Sequence, residues 1–290
     1  MSLTIRSIEH TDAEICGKIG FQAHKAVSSA HGYPSEQPSI DFAVEMIKTL
    51  LANPYSQGYV AERWGKILGS IFVHKFPPSP VAAIGPLTVD PSGEGGGVGR
   101  ALMEASLMEA RKRDYNQVRL IQSPSHLRSF ALYTKCGFAL REPLFLMQGR
   151  SPSPSTIQKK YDIRAAELRD ISACNQICVS IHGFSRELEL QHAIDQRVAS
   201  VAIDSTDGIS GYAAGIGFFG HAVAKTNEVL KALIANSSAI LGPGFFVPGR
   251  NSDLIRWLLD AGFRIVWPAN LMTVGNYVEP LGPFLPSIAY

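Results

Sequence analysis

The stretch Leu87-Thr88-Val89-Asp90-Pro91-Ser92-Gly93-Glu94-Gly95-Gly96-Gly97-Val98-Gly99-Arg100-Ala101 joins a strand-like segment to an amphipathic helix. Upstream, residues 81–89 read as a β-strand. Downstream, residues 101–113 read as a helix whose apolar stripe is Ala101, Leu102, Ala105 and Met108. A glycine-rich turn at a helix start aims unpaired N–H groups and the positive end of the helix dipole at one point. Such a point holds a phosphate or pyrophosphate, and glycine is needed because a Cβ would push the anion back or forbid positive φ. Alone, the stretch also fits a plain surface turn. Spacing excludes two common phosphate loops. A P-loop requires Lys-Ser/Thr after its last glycine, and Arg100-Ala101 stands there. The dinucleotide fingerprint occurs only elsewhere, at Gly215-Ile216-Gly217-Phe218-Phe219-Gly220. There two phenylalanines crowd the turn and no acidic residue follows at about twenty positions. That match reads as chance, with a nucleotide-binding module left as a distant alternative.

With its flanks, the stretch resembles the acetyl-CoA loop of the GNAT superfamily of N-acetyltransferases. In that family a strand ending Leu-x-Val-x-Pro runs into Gln/Arg-x-x-Gly-x-Gly/Ala and then a helix. Glu94 departs from the pattern, putting a carboxylate where Gln or Arg is usual; it either weakens cofactor affinity or points to solvent. A second family motif, Asn-x-x-Ala-x-x-x-Tyr-x-x-x-Gly-Phe, is resembled by His126 through Phe138. Tyr133, Gly137 and Phe138 match, while His126 and Ser129 replace Asn and Ala. His126, Ser129 and Tyr133 fall at i, i+3 and i+7 of a helix, which places them on one face. Ser123-Pro124 reads as the helix start and Gly137 as its stop.

The resemblance implies an α/β (α+β) fold, a mixed, largely antiparallel twisted sheet flanked by helices. It implies acetyl-CoA as co-substrate, held by Leu87, Thr88, Val89, Glu94, Gly95, Gly96, Gly97, Val98, Gly99, Arg100, Ala101, Ser129 and Tyr133, with no metal. Gly85-Pro86 within the strand favours a bulge, since proline cannot donate to the ladder and glycine tolerates the distorted φ. A bulge there leaves backbone groups near Leu87–Val89 free, and in the family such groups pair with pantetheine. Tyr133 is implied as the general acid for the leaving thiolate. His126 is a candidate base beside a water relay; His24, His74, His182 and His221 are weaker candidates. The acceptor is then a primary amine of a small molecule or peptide. The alternative is a CoA- or acyl-CoA-binding sensor without catalysis.

Composition agrees with an enzyme of two domains. The chain has 290 residues, 46% apolar and 18% charged, which suffices for two cores. A net charge of +2 argues against nucleic acid or an anionic membrane as partner. No apolar run approaches a membrane span, and no signal-peptide core opens the chain. Cys16, Cys136, Cys174 and Cys178 make neither a disulfide framework nor a zinc spacing. A cytoplasmic monomer or homodimer is the expectation.

The sequence also repeats. Ile5-Arg6, Asp12, Cys16 and His24 return as Ile163-Arg164, Asp170, Cys174 and His182 at an offset of 158. Ile67 and Gly69 return as Ile209 and Gly211 at 142, and Gly137-Phe138, Pro143 and Leu146-Met147 return as Gly262-Phe263, Pro268 and Leu271-Met272 at 125. The second copy is thus 33 residues shorter in its middle. It lacks a second glycine loop: Gly220-His221-Ala222-Val223-Ala224-Lys225-Thr226 leads straight into a helix to Ile234. Leu258 takes the place of Tyr133, whereas Asn251 keeps the family asparagine. These readings predict an active GNAT-like domain at 1–149, a Ser/Pro linker at 150–160 and a degenerate GNAT-like domain at 161–290 that bounds the acceptor cleft.

Overall fold

The structure is a computed structural model that describes residues 3–32, 37–93, 95–152 and 160–289. The first half runs β1 (Thr4–Ser7), α1 (Ala13–His31), α2 (Ile40–Ala52), β2 (Ser56–Arg63), β3 (Lys66–Lys75), β4 (Val81–Val89), α3 (Val98–Lys112), β5 (Gln117–Gln122), α4 (Leu127–Lys135) and β6 (Ala139–Gln148). The second half runs β7 (Asp162–Ala165), α5 (Ile171–His182), α6 (Glu187–Asp195), β8 (Ser200–Asp204), β9 (Gly208–Ala213), β10 (Ala222–Ala224), α7 (Asn227–Ala235), β11 (Phe245–Pro248), α8 (Ser252–Asp260), β12 (Arg264–Gly275) and β13 (Phe284–Leu285).

Two compact units result. Unit 1 comprises Met1–Lys75, Pro80–Ala139 and Met272–Gly275; unit 2 comprises Phe76–Ser79, Leu140–Leu271 and Asn276–Tyr290. In unit 1 the strands follow the order β1-β2-β3-β4-β5, and the end of β12 lies beyond β5. All pairs from β1 to β4 are antiparallel, while β4 and β5 run parallel across the α3 crossover. Successive side chains of β3 serve opposite faces, as the period of two requires. Ile71 and Val73 join Leu102, Met103 and Leu107 of α3, and Phe72 joins Cys16, Ile19 and Ile47 of α1 and α2.

Unit 2 has one sheet in the order β13-β10-β9-β8-β7, with β11, β6 and the first part of β12 as neighbouring strands. Helices α7 and α8 pack with Phe245, Val247 and Met147, and α5 and α6 with Val201, Tyr212 and Val223. The strand that ends each half therefore leaves it: β6 pairs with β11 in unit 2, and residues 272–275 complete unit 1. The architecture is mixed α/β with mostly antiparallel sheet flanked by helices. No described helix is long and apolar enough to cross a membrane.

The repeat seen at an offset of 158 has a physical basis. Arg6 holds Asp12 at 2.7 Å while Asp12 accepts from the Glu9 N–H at 2.8 Å, tying β1 to the start of α1. Arg164, Asp170 and Glu167 repeat both distances at the start of α5. The Arg6 hydrogen bond holds the nearly buried Asp12 carboxyl below the usual carboxylate range. A depressed carboxyl stabilises the fold above its ordinary range and loses that effect as pH falls through its lowered value. Asp12→Ala is expected to lower unfolding free energy by about 1–2 kcal/mol near neutrality. The difference from wild type should shrink in denaturant titrations as pH falls below the ordinary carboxylate range and through the lowered value of Asp12.

Candidate functional site

The site in unit 1 starts from a defect in β4. Ile71 pairs with Leu87 but Val73 pairs with Ile84, so Gly85 and Pro86 stand together opposite Phe72. Gly85 sits at φ +150. Below the bulge, the buried His74 closes a relay. Its Nε2 lies 2.5 Å from the Gly85 carbonyl, which can only accept, so Nε2 carries the proton and Nδ1 accepts from Ser56 Oγ at 2.9 Å. Burial lowers the His74 pKa, and with both nitrogens engaged this histidine is no candidate base. The parallel ladder with β5 covers only Val81–Ala83. Past the bulge, Leu87–Val89 pair with β3 on one side, and their other edge lies in no ladder among the described residues.

The chain then turns through Pro91–Gly93, fixed by Asp90, whose carboxylate accepts from the Ser92 hydroxyl at 2.7 Å and the Ser92 N–H at 2.9 Å. Glu94 lies outside the described residues. Gly95 and Gly97 adopt φ +86 and +77, and Gly97 is the left-handed N-cap of α3. The helix begins at Val98, three residues before the 101 read from the apolar stripe, because the stripe cannot register a first turn built on glycine. Its first bond is Ala101 N–H to Gly97 carbonyl at 3.0 Å, which leaves the N–H groups of Val98, Gly99 and Arg100 without helical acceptors. No side chain caps this helix among the described residues, whereas Ser39, Thr226 and Asn251 cap α2, α7 and α8. Arg100 faces solvent and pairs with Glu104 at 2.8 Å.

Helix α4 closes against this corner. A Cβ on Gly99 would meet Leu132 at 3.3 Å and Val89 at 3.6 Å, so three elements converge there. Tyr133 is half-buried on the cluster that also takes Leu87 and Val89, with its ring 6.2 Å from Phe138. Desolvation, then the neighbouring Cys136, pushes its hydroxyl well above the usual phenol range. Gly137 ends the helix at φ +91, as its position predicts. The start differs from the expectation at Ser123-Pro124. His126 is the N-cap and Leu127 the first helical residue. His126 thus precedes the helix, next to Ser129 at its third position, and lies about 10 Å along the axis from Tyr133.

Gln122, missed in the sequence, organises that start. Its side-chain amide donates to the Ser123 carbonyl, to the His126 carbonyl at 3.1 Å and to Ser129 Oγ at 3.1 Å. Ser129 in turn donates to the His126 carbonyl at 2.9 Å. A buried glutamine ending an apolar strand was the available signal.

Among the described residues, unit 2 has no glycine loop at a helix start and no tyrosine at the position of Tyr133. Gly211 pairs with Ala224 as Gly69 pairs with Val89, but α7 follows after Lys225-Thr226 alone. Thr226 Oγ1 accepts from the Val229 N–H at 3.4 Å, and Leu258 is fully buried. The glycines of the 215–220 match serve packing: a Cβ on Gly217 would lie 2.3 Å from the Leu241 carbonyl, and one on Gly220 2.2 Å from that of Gly215.

Residues 25–138 match the acetyltransferase (GNAT) family. A mycothiol acetyltransferase of Amycolatopsis mediterranei (strain U-32) is 32% identical over 91 residues, 29% of this chain; the match spans 30% of that relative's length. A Pyrococcus horikoshii protein shares the fold at TM-score 0.72 and 16% identity, covering 99% of this chain and 92% of its own. A GCN5-related N-acetyltransferase from Sphaerobacter thermophilus does so at 0.65 and 14%, covering 96% and 97%. A tandem GNAT protein from the clavulanic acid biosynthesis pathway does so at 0.55 and 15%, covering 94% and 98%. The family match thus covers residues 25–138, and along nearly its whole length the chain is similar in fold to a tandem GNAT protein.

Proposed function

We propose that unit 1 binds acetyl-CoA and transfers its acetyl group directly to a primary amine of a small molecule or peptide. One observation carries this reading: the uncapped, glycine-rimmed start of α3 lies beside the free edge of β4. The first suits a pyrophosphate, with Gly95–Ala101 as its cradle. The second suits an extended chain bearing amides, which would pair with Leu87–Val89. The bound co-substrate supplies an activated acyl thioester. A backbone N–H at this edge would stabilise charge developing on the thioester oxygen, worth about 2.7–4 kcal/mol for one well-placed donor. Tyr133 Oη, held protonated by its surroundings, would give its proton to the departing sulfur. The amine loses its proton to water or to His126. All these groups lie within residues 1–149, and 161–290 form the degenerate copy.

The test is acetyl-CoA consumption against a panel of primary amines, with mass spectrometry of the product. Absence of turnover with every amine in the panel, alongside tight CoA binding, would favour a non-catalytic acyl-CoA sensor. Calorimetry is expected to give one CoA per chain, since α7 is capped by its own threonine and has no glycine loop. A stoichiometry of two would sink the assignment of unit 2.

A further inference from the structure

The edge of β4 that stands free in unit 1 has a counterpart in unit 2, fixed by register. Val89 pairs with Gly69, and Ala224 pairs with the repeat-related Gly211, so Ala222–Ala224 correspond to Leu87–Val89. In unit 2 that edge is covered. Ala222 pairs with Leu285 and Val223 with Phe284, antiparallel, and the Ala224 N–H donates to the Pro283 carbonyl at 3.1 Å. The covering strand, β13, also touches β11, so it stands between the strands equivalent to β4 and β5. Phe284 and Leu285 are each 2% exposed.

The segment is anchored along its length. The Leu281 N–H donates to the Ile181 carbonyl at 2.9 Å, Arg186 Nη2 donates to Ser287 Oγ at 3.3 Å, and the Ile288 N–H donates to the Phe218 carbonyl at 2.9 Å. What remains of the groove is a cavity of about 310 Å³ at the starts of α7 and α8, walled on one side by Pro280–Phe284.

We infer that residues 280–288 act as an internal strand in the groove of unit 2, at the place corresponding to the one acetyl-CoA's amide-bearing arm takes in unit 1, and close it to any extended ligand. The inference rests on the reading of unit 1. A tethered segment competes at high effective concentration, and its peptide groups satisfy the donors and acceptors a ligand would need. Unit 2 is thus shut twice, by the lost anion loop and by its own chain.

Hydrogen-exchange mass spectrometry of the full chain, with and without saturating CoA, tests this. Amides at 222–224 and 284–285 are expected to exchange at least about a hundredfold more slowly than unstructured peptide, unchanged by CoA. Amides at 87–89 and 98–100 should slow by about tenfold or more when CoA is added. Exchange of 284–285 at the unstructured rate, or a CoA response at 222–224, overturns the inference. No CoA response at 87–100, with 222–224 still protected, overturns instead the ligand groove of unit 1 on which it rests.

Discussion

Gly97→Val combined with Gly99→Val abolishes the thermal stabilisation that CoA gives the protein. Gly97 holds φ +77, where a β-branched residue is strained and would swing the first N–H groups of α3 away from a shared focus. Gly99 has room for little, because a Cβ already reaches Leu132 at 3.3 Å and valine adds two methyls. A ligand at a hundred times its Kd stabilises by about 2.7 kcal/mol, and all of it should vanish in differential scanning fluorimetry. Gly65→Val is the control. Gly65 sits at φ +74 in the β2–β3 turn with open space around it, so it carries similar backbone strain without touching the site. The control loses stability but keeps the CoA response. A double variant that still responds in full would remove the anion cradle from the mechanism.

Tyr133→Phe lowers kcat by at least about tenfold while leaving CoA affinity within about twofold, since the ring's packing survives and only the proton donor goes. The pH profile adds a sharper check. Because burial raises this phenol, the wild-type rate should show no decline attributable to its ionisation up to about pH 10, the ordinary phenol value. Full activity of the phenylalanine variant on a confirmed amine would make Tyr133 structural and pass the proton to another group.

The parts of this site legible in the sequence are those in which backbone demands select a residue type. Gly95, Gly97 and Gly137 stand at positive φ, and Gly85-Pro86 marks a bulge, so composition alone betrays the geometry. The repeat was legible because Arg6–Asp12 and Arg164–Asp170 do the same job at the same spacing. What escaped depends on partners far along the chain. Periodicity identifies β6 and β12 as strands but says nothing about which sheet they join. Nor does it reveal that Phe284-Leu285, two residues among loops, lie against β10. The start of α4 was misplaced because Ser123-Pro124 resembles a helix opening, while Gln122 holds His126 as the actual cap. The duty of His74 follows from a bulge contact that no local pattern encodes.

The traded final strands also set an order of events on the ribosome. Unit 1 lacks residues 272–275 until the 132 residues between 139 and 272 have been made. At a translation rate of roughly 5–20 residues per second, they emerge roughly 7–27 s after residue 139. In that interval the outer edge of β5, rich in apolar side chains, waits unpaired. The amino-terminal half is thus not a module that matures first and awaits its companion. A nascent chain stalled before residue 272 would present a bare sheet edge to chaperones.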